Sequence, residues 1–215
     1  YKKKFWKNMI NKELQKRILS SIILLPLAYY FILAGSFYLI FFTTICFFVS
    51  IYEWNKMVKK IKFKFLGSLF LIFSFYTFYE ISIAYFWIYV LLVCVSTDIG
   101  GYVFGKLFKG PKLTKISPNK TFSGMIGGYL LSLVFLSIFM GWINSTVNEK
   151  WFIVTILIST VSQIGDITIS YFKRLSKTKD TGKIIPGHGG LLDRIDGMIF
   201  AFTIFYLVEI TGYLK

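Results

Sequence analysis

Charged residues are scarce in this chain of 215 residues, since only 16% are Asp, Glu, Lys or Arg. An ordinary soluble domain contains about 25% charged residues. Apolar residues make up 55% of the sequence and are gathered into long blocks, so both faces of any helix or strand they form are apolar. This pattern excludes an ordinary soluble domain and indicates a protein embedded in lipid.

Cysteine and histidine are also rare. The two cysteines, Cys46 and Cys94, lie within apolar blocks and have no metal-ligand spacing, so we interpret both as small packing residues. The basic N-terminal segment is followed by a full apolar block rather than a short apolar core with an Ala-x-Ala site. No cleavable signal peptide is therefore expected.

Seven apolar blocks are candidates to cross a bilayer, which takes roughly 17 to 25 residues of helix. They lie at residues 18–34, 37–52, 65–79, 81–97, 125–143, 152–170 and 198–213. We predict an all-α, polytopic transmembrane helical bundle. Residues 1–90 are expected to form an N-terminal membrane scaffold, and residues 91–215 a functional membrane domain with two cytoplasmic loops, 98–121 and 171–196.

The net charge of +15 raises the question of nucleic-acid binding, but the placement of the charge argues against it. With a cytoplasmic N-terminus, 23 of the 25 basic residues fall in cytoplasmic segments, and only Lys150 and Lys215 fall outside. This asymmetry satisfies the positive-inside rule. The basic face is expected to meet anionic membrane lipid and anionic substrates, and nucleic acid is not an expected partner.

Four acids in the second half mark a candidate site. Asp98 ends the fourth block, Asp166 lies inside the sixth, and Asp193 and Asp196 precede the seventh. A carboxylate in a membrane span indicates a cation or a function, although Asp166 could instead pair with a Lys or Arg, and Asp98 could face water. If a helix begins near Leu192, Asp193 and Asp196 share a face, and one could be an N-cap. We predict a magnesium site at Asp166, Asp193 and Asp196.

Basic residues and glycines crowd around these acids. The Pro-Gly-His-Gly-Gly run at 186–190 lets the backbone approach a ligand, and its amides are able to bind anions. Acidic residues that bind a metal and basic residues that bind phosphate are what nucleotide chemistry requires. Many of these basic residues could instead serve only to orient the chain in the membrane by the positive-inside rule. The candidates are Lys173, Arg174, Lys177, Lys179, Lys183, His188, Gly189, Gly190 and Arg194.

The loop at 98–121 offers further polar groups. Residues 100–106 have Walker A spacing, but Leu107 follows the lysine and a membrane span precedes it, which excludes a P-loop. Gly124 and Gly128 form a GxxxG pair typical of helix packing. The groups proposed to hold a nucleotide or other substrate here are Asp98, Ser117, Asn119, Lys120 and Thr121.

Together these positions resemble the signature of the phosphatidate cytidylyltransferase family, the CDP-diacylglycerol synthases. The resemblance covers the second half well and the first half only in hydropathy. In relatives a Glu usually stands three residues after the Gly-Asp pair, and here Ile169 occupies that place, so the role of that Glu does not carry over. The chain is also expected to lack a span or two that longer members carry at the N-terminus. The matching positions are Asp98, Gly100, Phe104, Gly105, Ser117, Pro118, Lys120, Thr121, Gly165, Asp166, Ser170, Phe172, Lys173, Arg174, Lys179, Asp180, Pro186, His188, Gly189, Gly190, Asp193, Arg194, Ile195 and Asp196.

The resemblance implies a multi-pass enzyme of the bacterial inner membrane, with its N-terminus and active-site loops in the cytoplasm. The implied reaction joins CTP to phosphatidic acid, giving CDP-diacylglycerol and pyrophosphate. The implied metal pair, Asp166 and Asp193, holds magnesium beside a second cation such as potassium. Charge on the leaving group or lipid headgroup is then stabilised by Lys173, Arg174, His188 and Arg194. Whether the enzyme is a homodimer stays open.

Two alternatives remain. A CTP-dependent lipid kinase, such as a polyprenol or phytol kinase, shares the nucleotide and the membrane setting, and its alcohol acceptor needs a base such as His188 or Asp98. An ion or phosphate transporter would use Asp166 as a cation site. Transporters concentrate polar residues at mid-membrane, often in two related halves, whereas here they cluster at the cytoplasmic ends of one half.

Overall fold

The structure, a computed structural model, describes residues 22, 26–27, 29–31, 33–83, 86–187 and 189–214. Outside β-bridges that pair single residues, the described ranges from 36 onward are built of helices and their connections. The predicted all-α class is confirmed. The helices are α1 (Ser36–Met57), α2 (Ile61–Ile83), α3 (Trp87–Phe108), α4 (Phe122–Trp142), α5 (Glu149–Leu175) and α6 (Leu192–Ile210).

Helices α1 to α5 each contain a segment long and apolar enough to cross a bilayer. Their outer surfaces expose large apolar side chains, such as Phe37 and Phe65, both 72% exposed. Such surfaces suit lipid and not water. The chain is therefore a multi-pass integral membrane protein. The first predicted span, 18–34, lies largely outside the described residues.

The sixth helix, α6, differs from the other five. It was expected to span the membrane at 198–213, but it is not among the helices apolar enough to do so. Its 19 residues include four charged ones, Asp193, Arg194, Asp196 and Glu209. Five candidate spans thus stand in the described residues where seven were predicted for the whole chain.

Several predicted boundaries were wrong. Ile81 was expected to begin the fourth span but belongs to α2. The expected loops 98–121 and 171–196 are partly helical, and the true connections are 109–121 and 176–191. Near a membrane face, backbone N–H and C=O groups form their hydrogen bonds most readily within a helix. The helices α3 and α5 therefore continue past the end of their apolar blocks. Hydropathy alone underestimated their length.

Glycines allow α3 and α4 to pack backbone against backbone. A Cβ on Gly100 would collide with the Gly127 carbonyl oxygen, and a Cβ on Gly124 would lie 2.6 Å from the Gly101 carbonyl oxygen. A Cβ on Gly128 would lie 3.0 Å from a carbonyl oxygen of α3. These contacts confirm the packing role predicted for Gly124 and Gly128. They also show that the two helices are antiparallel and meet near the 109–121 connection.

Two apolar clusters hold the helices together. One contains Tyr89, Trp151 and Phe205, where the tyrosine ring lies 5.0 Å from the tryptophan ring. The other contains Trp54 of α1 and Leu192, the first residue of α6. The second cluster joins the end of α1 to the beginning of α6. It brings a residue of the first half of the chain against the candidate site.

Candidate active site at the junction of α3, α5 and α6

Carboxylates from three helices converge at one end of the bundle. Asp98 on α3, Asp166 on α5 and Asp196 on α6 are close enough to interact electrostatically. Like charges in a partly buried site repel one another, so such a group requires compensating cations. The structure therefore brings together three of the four acids singled out in the sequence, and the fourth, Asp193, lies beside them.

Lys120 compensates one of these acids. Its ammonium group forms an ion pair with the Asp166 carboxylate, and the other oxygen of that carboxylate accepts a hydrogen bond of 3.3 Å from the Ser170 hydroxyl. The pairing with a lysine was the alternative considered for Asp166. Because Lys120 belongs to the 109–121 connection, the ion pair also ties that segment to α5.

Lys173 compensates the acids of α6. Its Nζ atom lies 2.8 Å from Asp193 Oδ1 and 4.0 Å from Asp196 Oδ2. One ammonium group thus contacts both carboxylates, which confirms that Asp193 and Asp196 share a helical face. Asp196 Oδ1 accepts a hydrogen bond of 2.9 Å from the amide of Gly197.

Asp193 also organises the 176–191 connection. Its Oδ2 atom accepts hydrogen bonds from the Thr181 amide at 2.8 Å, the Thr181 hydroxyl at 3.0 Å and the Gly190 amide at 3.0 Å. Burial opposes ionisation, but the hydrogen bonds from Lys173, Gly190 and Thr181 outweigh it and hold the pKa of the Asp193 carboxyl below its usual value. Asp193 is therefore a charged group that fixes the loop around it.

The glycines of this loop have an internal packing role that the sequence did not reveal. A Cβ on Gly189 would lie 2.9 Å from Asp193 Oδ2, and that glycine has a φ of +90°. A Cβ on Gly190 would lie 2.5 Å from Glu53 Oε2. The Gly190 amide, expected to be open to a ligand, is already bonded to Asp193. Close packing against carboxylates explains these glycines, and ligand binding by them stays a prediction.

Glu53 is the residue that the sequence interpretation missed. It lies near the end of α1, is only 1% exposed and accepts hydrogen bonds from the amides of Leu191 and Leu192. The first half of the chain was interpreted as scaffold, so Glu53 was not considered for the site. An acid at the end of an apolar block was the available signal, and it is the same signal that marked Asp98.

Other predicted residues lie around this centre. Arg174 lines a cavity of about 470 Å³ together with Lys115 and Pro118. Lys179 and Lys183 are exposed on the 176–191 connection. His188 lies outside the described residues, so its predicted role stays a prediction.

The 109–121 connection supplies polar groups of its own. The Thr121 hydroxyl caps α4 by accepting a hydrogen bond of 3.1 Å from the Gly124 amide. Ser117 begins a turn in which its carbonyl oxygen accepts from the Lys120 amide at 3.0 Å. Asn119 is exposed within that turn. Contact of these groups with a nucleotide stays a prediction, and Thr121 has a structural task in addition.

The donor set suits a hard divalent cation. Among the described residues, no three His, Cys, Asp or Glu side chains are grouped so as to hold a metal ion by themselves. Magnesium, however, commonly takes one or two carboxylates and completes its coordination with water and substrate phosphates. Asp166 and Asp193 are each paired with a lysine ammonium group. The two carboxylates supply the hard oxygen ligands that such a cation uses, and a cation shared with an anionic substrate would take the place of these lysines.

Ile169 faces away from these acids. It is buried in the apolar cluster of Trp54 and Leu192 and lines a cavity of about 460 Å³ between α2, α5 and α6. Ile169, at the position where relatives usually have Glu, is thus surrounded by apolar side chains.

Comparison with known proteins agrees with the motifs. The sequence model described as "Cytidylyltransferase family" matches residues 65–211. A phosphatidate cytidylyltransferase of Staphylococcus haemolyticus (strain JCSC1435) is 41% identical over 126 residues, which is 57% of this chain and 48% of the relative. One from Rickettsia conorii (strain ATCC VR-613 / Malish 7) is 38% identical over 135 residues, 58% of each chain. One from Brucella suis biovar 1 (strain 1330) is 40% identical over 121 residues, 56% of this chain and 45% of the relative.

The chain spans about half the length of these curated relatives. The family match nevertheless covers most of the described helices, from the first turns of α2 to the end of α6. It includes Asp98, Asp166, Asp193 and Asp196 and the lysines paired with three of them. The resemblance expected from the sequence is confirmed, and this chain belongs to the cytidylyltransferase family.

Proposed function

We propose that this protein transfers the cytidylyl group of CTP to phosphatidic acid, giving CDP-diacylglycerol and pyrophosphate. The observation that carries the proposal is the pairing of carboxylates and lysines at the junction of α3, α5 and α6. Such a site offers charge of both signs, as a reaction between two polyanions requires. The names of the relatives supply the substrates, and the membrane helices suit a lipid acceptor.

In the proposed reaction, a phosphate oxygen of phosphatidic acid attacks the α-phosphorus of CTP. A new P–O bond forms, and the bond between the α-phosphorus and the bridging oxygen breaks, so the electron pair leaves with pyrophosphate. Both reactants are anions, so the site must neutralise charge and hold attacking and leaving oxygens in line. For this task we propose Lys173, which pairs with Asp193, and Arg194, which follows Asp193 in sequence, with Arg174 and His188 as further candidates.

Magnesium is the proposed cofactor, held by Asp166 and Asp193 with Asp196 beside them, and when bound it supplies positive charge to the phosphates. With a cation at these carboxylates, Lys120 and Lys173 would be available to contact substrate phosphates. The second cation, such as potassium, stays a prediction from the family resemblance.

The apolar cavity of about 460 Å³ supports a lipid acceptor. Its walls include Trp54, Phe63 and Phe172, and also Thr168 and Ile169, which follow Asp166 on α5. An acyl chain entering from the bilayer would lie against these side chains. The headgroup of the same lipid would then lie near the acids at the end of the bundle.

We further propose that this end of the bundle faces the cytoplasm of a bacterial cell. The connections 58–60, 109–121 and 176–191 lie at that end because α1 to α5 alternate in direction, and they are rich in basic residues. The positive-inside rule assigns such segments to the cytoplasmic side. CTP is made in the cytoplasm, so this orientation gives the nucleotide access to the site.

Purified protein in detergent, supplied with phosphatidic acid, magnesium and CTP, tests the proposal. With label on the α-phosphate, radioactivity is expected in the extracted lipid. With label on the γ-phosphate, it is expected only in pyrophosphate. The Asp166→Asn variant provides the background for both measurements.

A CTP-dependent lipid kinase would give the opposite labelling, with γ-phosphate in the lipid and α-phosphate in CDP. The same assay with a polyprenol or diacylglycerol acceptor makes that comparison direct. Appearance of γ-label in the lipid would replace the proposed transferase with the kinase.

A further inference from the structure

Glu53 is a buried acid, and both of its carboxylate oxygens accept hydrogen bonds from one distant segment of the chain. Its Oε1 atom accepts from the Leu191 amide at 3.1 Å, and its Oε2 atom accepts from the Leu192 amide at 2.9 Å. The Thr181 hydroxyl lies 3.2 Å from Oε2. All three partners are far from Glu53 in sequence and belong to the 176–191 connection or the start of α6. Glu53 also lies before residues 65–211, to which the family match is confined.

These bonds supply a helix cap from another helix. The first amides of a helix have no partner within it, and a side chain near the first turn usually accepts from them. Leu191 is the N-cap residue of α6 and provides no side-chain cap. The Glu53 carboxylate takes that place, and its negative charge also suits the positive end of the helix dipole. The direction in which α6 leaves the loop therefore depends on α1.

The loop is shaped to enclose this carboxylate. A Cβ on Gly182 would collide with Glu53 Oε1, and a Cβ on Gly190 would lie 2.5 Å from Oε2. Any larger residue at either position would push the loop away from Glu53. The side chain beside Glu53, Trp54, packs edge to face on Phe172 of α5 at a ring distance of 4.9 Å, which fixes α1 against the helix of Asp166.

One hydroxyl connects Glu53 to the candidate site. Thr181 Oγ1 lies 3.2 Å from Glu53 Oε2 and 3.0 Å from Asp193 Oδ2. The amide of Thr181 also donates to Asp193 at 2.8 Å. The one hydroxyl proton of Thr181 is shared between the two carboxylates, so a change at Glu53 alters the hydrogen bond that this hydroxyl donates to Asp193.

We infer that Glu53 is a positioning residue for the reaction, because it fixes the 181–192 segment and so orients Asp193 and Arg194 from outside the catalytic half of the chain. The inference rests on the proposed cytidylyl transfer. Loss of outer-shell partners of a metal-binding carboxylate typically lowers activity or metal affinity about 10- to 100-fold. We expect Glu53→Gln to lower kcat within that range and to raise the magnesium concentration needed, while KM for phosphatidic acid stays within twofold.

Glu53→Gln keeps the shape but replaces one acceptor oxygen with an NH₂ group that faces an amide hydrogen. Glu53→Asp keeps the charge and should recover part of kcat. Glu80→Gln is the matched control, since Glu80 lies at the far end of α2 and undergoes the same chemical change. Thr181→Val removes the hydroxyl that lies between Glu53 and Asp193 but leaves both carboxylates in place, and it serves if Glu53→Gln does not fold.

Hydrogen exchange followed by mass spectrometry gives a readout that is independent of turnover. Peptides covering residues 181–192 should exchange faster in Glu53→Gln than in the parent protein or in Glu80→Gln, while peptides of α3 and α4 stay unchanged. Faster exchange together with lower kcat is the expected result. Faster exchange with unchanged kcat and magnesium dependence would make Glu53 a structural cap only and overturn the inference, as would unchanged exchange. A parent protein without transferase activity would instead remove the proposed function, while the exchange result would still report on the Glu53 contacts.

Discussion

Lys173 on α5 and Asp193 on α6 form an ion pair of 2.8 Å, and their side chains are only 11% and 4% exposed. The pair joins two antiparallel helices at the point where the 176–191 connection leaves one and enters the other. Because the Asp193 pKa is lowered in the folded protein, its stabilising contribution is present above the usual Asp pKa and is lost as the pH falls through the lowered value. The same pair therefore affects both stability and the orientation of the site.

Replacing Lys173 tests both consequences. Lys173→Met leaves the Asp193 carboxylate buried without its ammonium partner, so we expect the free energy of unfolding to fall by about 3 kcal/mol. Activity should fall at least about tenfold, since the base beside the proposed phosphate site is lost. Lys62→Met is the control, because Lys62 is an exposed lysine at the beginning of α2 and is not a candidate site residue. Thermal unfolding in detergent and CTP turnover measure the two effects, and parent-like turnover in Lys173→Met would contradict the role of Lys173.

The carboxylates give a second test. Asp166→Asn and Asp193→Asn keep the side-chain shape but remove the charge, so each is expected to remove most activity at every magnesium concentration. Asp180→Asn should be milder, because Asp180 is an exposed acid in the same loop. Activity measured against magnesium concentration distinguishes the three variants. Near-normal turnover in Asp166→Asn would show that the metal site lies elsewhere.

The sequence was sufficient to predict the all-α membrane class and the family, because hydropathy and motif spacing carry that information, and the acids that it singled out lie close together in the structure. It was not sufficient to predict the extent of the helices, since their ends depend on backbone hydrogen bonding and not on apolar content. Glu53 was missed because its partners are more than 120 residues away, which no local pattern reports. The packing of Gly190 against Glu53 was also missed, because a glycine motif does not reveal which side chain occupies the adjacent space.

The α3–α4 contact predicts different outcomes for two glycines of one helix. A Cβ on Gly127 would collide with the Phe104 side chain and lie 2.8 Å from the Gly100 carbonyl oxygen, whereas a Cβ on Gly141 would meet nothing within 4 Å. Gly127→Ala should lower the free energy of unfolding by about 1 to 3 kcal/mol. Gly141→Ala should be neutral or stabilising, since alanine favours helix. Equal melting temperatures for the two variants would show that α3 and α4 are less closely packed than the structure indicates.

The orientation is tested with single cysteines in a cysteine-free background. Thr146→Cys, in the short connection between α4 and α5, should react with a membrane-impermeant maleimide in intact cells. Lys112→Cys and Lys179→Cys should react only after permeabilisation, because the basic connections are expected inside. Thr146 is preferred to Asn148, whose side chain caps α5 by accepting from the Trp151 amide at 3.0 Å. Labelling of Lys179→Cys in intact cells would reverse the proposed orientation.

Arg194 provides a test of where charge develops during the reaction. It follows Asp193 on α6 and interacts electrostatically with Asp98 on α3, so its guanidinium group lies among the acids of the site. A guanidinium group is able to bind a phosphate through two parallel hydrogen bonds, and a lysine ammonium group is not. Arg194→Lys keeps the charge but loses this geometry. If the arginine binds pyrophosphate as it forms, kcat should fall about tenfold while the KM for CTP changes little, since an interaction made mainly in the transition state affects the rate. Steady-state kinetics over a range of CTP concentrations measure both constants. A rise in KM at constant kcat would mean that Arg194 binds the nucleotide equally well before and during the reaction.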